Sequence, residues 1–186
     1  MSATPYIIIS GPSGVGKTTM AHKLLKKFPH LTRVITTTTR APRDGEAHGI
    51  DYFFVSPAAF TELAAAQAFL EINTFGSASY ATPRSVLHFL RTGQPRLALP
   101  DINGAQKLVQ LIPHATTIWL SAPREVLATR LAKRGTESPQ QQTQRLDIAT
   151  QEMKLARESG IYKHTIDMTD FEKAEEALLC ILKTIL

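Results

Sequence analysis

Residues 7–20 have the sequence IIISGPSGVGKTTM, in which an apolar run leads into a glycine-rich segment. The preceding run from Tyr6 to Ile9 is rich in β-branched residues and too short to span a membrane, so it predicts a buried parallel strand. The segment from Gly11 to Thr18 matches the P-loop pattern G-x-x-x-x-G-K-[ST] in full. Apolar residues then recur at helical spacing, at Met20, Leu24, Leu25 and Phe28. A strand, a glycine-rich turn and a helix in this order predict a site for a nucleoside triphosphate.

The residue types of this motif suit phosphate groups. Glycines let the backbone curl so that several N–H groups point at phosphate oxygens, and the helix start adds its positive dipole end. We expect Lys17 to reach the β- and γ-phosphates and the Thr18 hydroxyl to coordinate Mg²⁺. The residues predicted to bind the donor nucleotide are Gly11, Ser13, Gly14, Val15, Gly16, Lys17, Thr18 and Thr19.

Length and composition indicate one domain with a proper core, since the chain has 186 residues of which 43% are hydrophobic. The net charge of +5 suits a nucleotide pocket as well as nucleic acid, but no block of like charge is present. The single cysteine, Cys180, excludes an internal disulfide and is expected in the core. No signal-peptide pattern or membrane span is evident, so we expect a cytoplasmic protein that does not bind membranes.

Short apolar runs alternate with helical patterns, which favours a parallel sheet with helices on both faces. Strands are predicted at Tyr6–Ser10, Arg96–Leu99, Thr117–Leu120 and Thr165–Met168. Helices are predicted at Lys17–Phe28, Pro83–Arg91, Ala105–Ile112, Arg124–Lys133, Pro139–Glu158 and Phe171–Leu182.

Two stretches interrupt this alternation. Residues 34–83 hold strand-like pieces, a small helix and many polar residues, which indicates an inserted lobe; its elements are predicted at Val34–Thr37, Tyr52–Val55 and Pro57–Ala66. Residues 124–158 form helices with more polar than apolar positions, which is typical of an arm that moves over a site. The single domain, 1–186, is therefore divided into a core (1–33, 84–123 and 159–186), a lobe (34–83) and a lid (124–158).

The lobe carries a charged segment, TTTRAPRDGEAHGIDY, at residues 37–52. Such a run is usually a solvated face. Here, however, Arg40 and Arg43 are three residues apart, with Thr36 and Tyr52 nearby. Guanidinium groups bind phosphate bidentately, and hydroxyl groups complete its oxygen shell. The segment therefore predicts a site for a second phosphate, on an acceptor molecule.

A further polar group follows at Glu71, Tyr80 and Thr82. A carboxylate can accept hydrogen bonds from two adjacent donors, such as N1–H and the 2-amino group of guanine. Together with four sequence blocks, these residues make the chain resemble the guanylate kinase family nearly from end to end. The blocks are GPSGVGKTT, TTRAPRDGEAHGIDYFFVS, FLE and RLAKRGTES. The second of these blocks is long and far more specific than the P-loop.

The resemblance implies an α/β fold of the P-loop NTPase type, with a parallel sheet flanked by helices, an inserted GMP-binding lobe and a helical lid. It implies phosphoryl transfer from ATP to GMP, and to dGMP, with Mg²⁺ as cofactor and no nucleic acid as partner; it carries no prediction of oligomeric state. The GMP-binding residues that it implies are Thr36, Arg40, Arg43, Tyr52 and Tyr80 for the phosphate, and Glu71 and Thr82 for guanine. The implied catalytic residues are Lys17, Arg134 and Arg145, with Arg130 as a further candidate.

One departure from the family lies after the central strand. The family has L-D-x-D-x-Q-G-A, whereas this chain has ALPDINGA at residues 98–105. Asp101 keeps the second acid, which in the family lies near Mg²⁺, so the implied metal ligands are Thr18 and Asp101. Leu99 replaces the first acid, which in the family contacts the guanine amino group. The phosphate-binding residues are thus intact, whereas base recognition is altered.

Three other functions agree less well with the sequence. A divergent P-loop kinase acting on another small phosphate ester, such as a ribose bisphosphate, is the main alternative, but such kinases usually lack the TTRxPRxGExxGxDY block. Non-catalytic guanylate-kinase-like modules typically have a degenerate P-loop, whereas Gly16, Lys17 and Thr18 are intact here. A nucleic-acid-binding NTPase would show aromatic and basic residues along one stripe, and none is evident.

Overall fold

The computed structural model describes residues 3–134 and 138–186, with the side chains of Phe75, Arg134 and Pro139 outside the described part. The strands are β1 (Tyr6–Ser10), β2 (Thr32–Arg33), β3 (Thr36–Thr38), β4 (Tyr52–Phe54), β5 (Phe69–Phe75), β6 (Ala78–Pro83), β7 (Arg96–Ala98), β8 (Thr116–Ser121) and β9 (His164–Asp167). The helices are α1 (Lys17–Lys27), α2 (Pro57–Ala65), α3 (Val86–Arg91), α4 (Ile102–Leu111), α5 (Arg124–Arg134), α6 (Pro139–Ser159) and α7 (Phe171–Lys183).

The central sheet is parallel throughout, in the order β2-β7-β1-β8-β9. All five residues of β1 are buried, as its continuous apolar sequence predicts. Successive side chains of a strand point to opposite faces, so Ile7 and Ile9 pack on one side while Tyr6 and Ile8 pack on the other. Helices α1 and α7 cover the first face, and α3 and α4 cover the second. The predicted α/β class with helices on both faces is confirmed.

A second sheet, in the order β4-β3-β6-β5, and helix α2 lie within residues 34–83, the range predicted as an inserted lobe. Strands β3 and β4 are parallel, whereas β6 is antiparallel to both β3 and β5. The β5–β6 hairpin turns at Gly76, whose φ is 61°. The sequence did not predict this hairpin, and the helix predicted from Pro83 was wrong at its start because Pro83 ends β6.

Helix α4 also begins earlier than predicted, at Ile102, because the Asp101 side chain caps it by accepting from the Gly104 N–H group at 2.8 Å. The expectation of a core position for Cys180 was wrong, since that cysteine is exposed. The buried stripe of α7 instead consists of Ala174, Leu178 and Leu182.

Helices α5 and α6 follow β8 and pack against each other. Helix α5 buries Leu127 and Leu131, while α6 buries Ala149, Glu152 and Ala156. A capping box starts α6, in which Ser138 accepts from the Gln141 N–H group and the Gln141 side chain accepts from that of Ser138. In the described ranges, no helix is long and apolar enough to cross a membrane.

Candidate active site

A cavity of about 620 Å³ opens beyond the carboxyl end of β1. Its walls come from the P-loop, the inserted lobe, the β7–α4 connection, and helices α5 and α6. Parallel α/β sheets bind their ligands at this end of the strands. The cavity therefore joins the predicted donor site and the predicted acceptor site in one space.

The backbone of the P-loop favours glycine at several positions, of which Gly16 and Gly11 are the clearest. Gly16, which caps α1, has a φ of 105°, a conformation that side chains disfavour. A β-carbon placed at Gly11 would lie only 2.5 Å from the backbone oxygen of Leu120. The loop thus packs tightly on β8 and leads directly into the first turn of α1, where Thr18 and Thr19 are exposed to the cavity.

Lys17 lies at the cavity with its ammonium group turned back onto the P-loop. Its Nζ donates to the backbone oxygens of Gly11 and Pro12, the second at 3.1 Å. Burial lowers the pKa of Lys17, while the carboxylates of Glu152 and Asp101 oppose that change. The ammonium group is therefore held by two backbone oxygens of the P-loop, and phosphate oxygens of a bound nucleotide could replace them.

Two arginines of the proposed lid contact the P-loop region. Arg145 Nη1 donates to Ser13 Oγ at 2.7 Å. Arg130 donates to the backbone oxygens of Val15 at 3.0 Å and Met168 at 2.6 Å. Both guanidinium groups line the cavity. Arg134 ends α5, and the prediction for its side chain falls outside the described part of the chain.

Four of the five residues predicted for the acceptor phosphate line the cavity, namely Thr36, Arg43, Tyr52 and Tyr80. Arg40 lies behind them. Its guanidinium group forms an ion pair with Glu46 at 2.9 Å and lies 5.4 Å from the centre of the Tyr52 ring. The same carboxylate accepts from the backbone N–H of Arg43 at 2.8 Å. Arg40 thus fixes the loop that presents Arg43.

The opposite end of the lobe holds the residues predicted for the base. Thr82 Oγ1 donates to Glu71 Oε1 at 2.8 Å. The second oxygen, Glu71 Oε2, is buried and has no hydrogen-bond partner among the described residues. Burial raises the pKa of Glu71, and the hydrogen bond from Thr82 opposes that change. Leu99 lines the same cavity and offers no acceptor.

The cavity wall also holds polar residues that were not predicted, among them Arg33, Asn73 and Glu152. Arg33 donates to the backbone oxygen of Asp51 at 3.0 Å, and no sequence signal distinguished it. Glu152 is buried, and burial is the main cause that raises its pKa to about 7. Glu152 lies three residues after Ala149 and four before Ala156, so the three residues share the buried face of α6. This spacing is the sequence signal that could have predicted a buried position for Glu152.

Comparison with known proteins agrees with this geometry. The family model described as guanylate kinase matches residues 3–185. A guanylate kinase of Thermobifida fusca is 38% identical over 177 residues, covering 94% of this chain and 89% of the relative. One of Mycobacterium sp. is 41% identical over 151 residues, covering 79% of this chain and 76% of the relative.

A crystal structure of guanylate kinase from Anaplasma phagocytophilum superposes with a TM-score of 0.81 at 27% identity, covering 98% of this chain and 86% of that one. The fold, the cavity and the sequence relatives lead to the same conclusion. The chain belongs to the guanylate kinase family, nucleoside-monophosphate kinases that transfer a phosphoryl group from ATP to GMP.

Proposed function

We propose that this cavity binds ATP at the P-loop and GMP in the inserted lobe, and that phosphoryl transfer takes place between them. The observation that carries the proposal is that one cavity is lined both by the P-loop and by Glu71 and Thr82. An oxygen of the GMP phosphate attacks the γ-phosphorus of ATP as the bond from that phosphorus to the β,γ-bridging oxygen breaks. GDP and ADP result, and no strong general base is needed because the attacking phosphate is already ionised.

The donor side rests on the backbone N–H groups of the P-loop and on Lys17. On binding ATP, the Lys17 ammonium would leave the carbonyl oxygens of Gly11 and Pro12 for the β- and γ-phosphate oxygens. Residues Gly11, Ser13, Gly14, Val15, Gly16, Lys17, Thr18 and Thr19 form this half of the proposed site.

The acceptor side divides into a phosphate end and a base end. Thr36, Arg43, Tyr52 and Tyr80 would bind the GMP phosphate, with Arg40 positioning the loop through Glu46. Glu71 and Thr82 would bind guanine, since the unpartnered Glu71 Oε2 can accept from an N–H group of the base. Adenine carries a lone pair at N1 and would oppose an ionised Glu71.

Positive charge from the proposed lid would stabilise the transferring phosphoryl group. Arg145 already lies at Ser13 of the P-loop, and Arg134 and Arg130 are the further candidates on α5. Positioning and charge neutralisation supply most of the catalysis in phosphoryl transfer. Closure of the lid would also exclude water, which otherwise accepts the phosphoryl group.

The residues proposed to lie near the phosphates fit Mg²⁺. Thr18 and Asp101 present a hydroxyl and a carboxylate to the cavity, and Mg²⁺ prefers such oxygen ligands while keeping several waters and phosphate oxygens. When bound, the ion neutralises phosphate charge. Thr18 and Asp101 would hold it. The cytoplasmic location and the absence of a nucleic-acid partner stay predictions.

An ADP-release assay tests the acceptor. GMP, dGMP, AMP, UMP, CMP and a ribose bisphosphate are offered in turn with ATP and Mg²⁺, and we expect GMP to give the highest kcat/KM. The family relatives do not support the ribose bisphosphate alternative. A higher kcat/KM for a ribose phosphate than for GMP would overturn the proposal.

The Lys17→Ala variant tests the donor site in the same assay. We expect kcat to fall by about 10²–10³, the usual loss for a preorganised charge-stabilising group. Lys26→Ala is the matched control, because Lys26 is exposed on the last turn of the same helix. Near-normal turnover in Lys17→Ala would contradict the assignment.

A further inference from the structure

Arg33 is a shielded cation in the cavity wall, and the proposed function gives it no task. Its side chain is only 9% exposed and lines the cavity together with Thr36 and Tyr52. Strand β2, which carries Arg33, is the edge strand of the core sheet, where it pairs with β7. Tyr52 begins β4 and belongs to the second sheet. A guanidinium group from the core sheet thus lies at the wall where the acceptor phosphate is proposed to bind.

The guanidinium group of Arg33 contacts the turn that precedes Tyr52. Its Nη2 donates to the backbone oxygen of Asp51 at 3.0 Å, and its Nη1 lies 3.6 Å from Asp51 Oδ1. The other carboxylate oxygen, Asp51 Oδ2, accepts from the Ala47 N–H group at 2.9 Å. The Asp51 side chain is 15% exposed, so this ion pair is largely shielded from water. Removing the cation from a shielded carboxylate is more costly than breaking an ion pair at the surface.

The same guanidinium group lies beside the Tyr52 ring. Its Cζ is 5.9 Å from the centre of the ring, within the range of a cation–π contact. Burial raises the pKa of the Tyr52 hydroxyl group, and the charge of Arg33 opposes that change. The hydroxyl group is therefore protonated near neutral pH and can donate to a phosphate oxygen.

Arg33 and Arg40 hold the acceptor loop at different points. Arg40 follows β3 of the second sheet and pairs with Glu46, whose carboxylate also accepts from the backbone of Arg43. Arg33 comes from the core sheet and pairs with Asp51, directly before Tyr52. Loss of Arg33 should therefore release the segment of Tyr52 while the contacts of Arg40 still hold Arg43.

We propose that Arg33 is a positioning residue for the acceptor phosphate and that it acts through Tyr52. It holds Asp51 and lies against the Tyr52 ring, and so it directs the Tyr52 hydroxyl group toward the acceptor phosphate. The inference rests on the proposed function and deepens it on the acceptor side. Loss of Arg33 then weakens GMP but not ATP, and the loss depends on the presence of the Tyr52 hydroxyl group.

A double-mutant cycle tests this coupling. Calorimetric Kd values for GMP and for ATP, together with kcat and KM, are measured for wild type, Arg33→Met, Tyr52→Phe and the double variant. Methionine keeps the packing of the side-chain stem and removes the charge and the donors. We expect Arg33→Met to weaken GMP roughly tenfold, the value of about one hydrogen bond, and to leave ATP within about twofold. In the Tyr52→Phe background, the same change should weaken GMP by less than about threefold, since coupled residues are not additive.

Arg91→Met is the matched control, because it removes one positive charge at the exposed end of α3; it should change neither ligand. If Arg33→Met does not fold, Arg33→Lys takes its place under the same criteria, because an ammonium group lacks the fork that contacts two oxygens of Asp51.

A loss of GMP affinity of about threefold or more in the Tyr52→Phe background would overturn the inference, since independent effects add. An equal loss for ATP and GMP would overturn it as well, because Arg33 would then support the fold alone. So would a loss for GMP of less than about threefold when Tyr52 is present. A wild-type protein that neither binds nor phosphorylates GMP would overturn the proposed function too, a distinct result.

Discussion

Among the carboxylates that line the cavity, Asp101, Glu71 and Glu152 have different surroundings, which suit them to different tasks. Asp101 caps α4 and orients Asn73, so both of its oxygens hold protein groups in place. Glu71 keeps one buried oxygen unpartnered, which suits an incoming base. Glu152 is buried on α6 near Lys17, and burial is the main cause that raises its pKa to about 7. The spacing of Glu152 from Ala149 and Ala156 indicates a buried position, and the structure shows that this position lies at the cavity.

The buried carboxyl group of Glu152 should make the stability of the free protein depend on pH. Its pKa of about 7 lies above the ordinary value of 4.5, so the unfolded chain loses this proton first as the pH rises. The stability that this one group contributes is therefore fully present below about pH 4.5, and it is lost as the pH rises through about 7. A glutamine at position 152 cannot ionise, so a protein that carries it does not lose this stability as the pH rises.

We expect the free energy of unfolding of Glu152→Gln, relative to wild type, to rise by about 1–3 kcal/mol between about pH 5 and about pH 8. Thermal unfolding in EDTA measures it. Glu158→Gln, an exposed site on the same helix, serves as control and should show a difference that is constant with pH. A constant difference for Glu152→Gln as well would contradict the effect of burial.

At the scale of elements, the end of the cavity proposed to bind the base is built from the β5–β6 hairpin and the start of α4. The sequence predicts β1, β8 and the central helices, because their apolar residues follow strand or helix periods. It does not predict β5, because Glu71 and Asn73 occupy buried positions where the strand period expects apolar residues. The polar residues that line the cavity therefore obscure the strand that carries them, whereas Glu71 was predicted as a base-binding residue from the family pattern.

The start of α4 allows the structural and chemical roles of Asp101 to be separated. Asp101→Ala removes the helix cap and the partner of Asn73, so we expect a loss of about 1–2 kcal/mol in the free energy of unfolding. Asp101→Asn keeps a capping side chain and should lose little stability. Both variants should lose most of their phosphoryl transfer activity if the carboxylate holds Mg²⁺.

Urea unfolding and the ADP-release assay measure the two effects in parallel. Ser56→Ala is the control for a lost cap, because Ser56 caps α2 in the same way, accepting from the Ala59 N–H group at 3.2 Å. It should lose similar stability and keep its activity. Full activity in Asp101→Asn would argue against a carboxylate ligand.

In the molecule as a whole, a parallel core sheet, a mixed second sheet and two polar helices enclose one cavity. The alternation of strands and helices along the sequence predicts the core sheet. It does not predict how the lobe and the helices from residue 124 onward meet over the P-loop, because contacts such as Arg145 with Ser13 join residues 132 positions apart. Ligands that bind between these parts should stabilise all of them.

Saturation with ATP or GMP at 100 times Kd should add about 2.7 kcal/mol to the free energy of unfolding. For a chain of this size that corresponds to a rise of about 5–10 °C in Tm. Differential scanning fluorimetry should show the ATP shift strongly reduced in Lys17→Ala and the GMP shift retained. A variant that loses both shifts to the same extent would show that Lys17 supports the cavity as a whole.

The uneven burial of α6 has a consequence for its motion. Ala149, Glu152 and Ala156 lie in its second half, whereas no residue from Gln140 to Ile148 is fully buried. Opening the first half therefore exposes no fully buried residue, whereas opening the second half disrupts the core. Amide hydrogen exchange should be fast up to about residue 148 and slow beyond it, and added ATP with GMP should protect the fast half. The helix would then bend near Ala149, so that Arg145 moves with substrates while Glu152 stays fixed against the core.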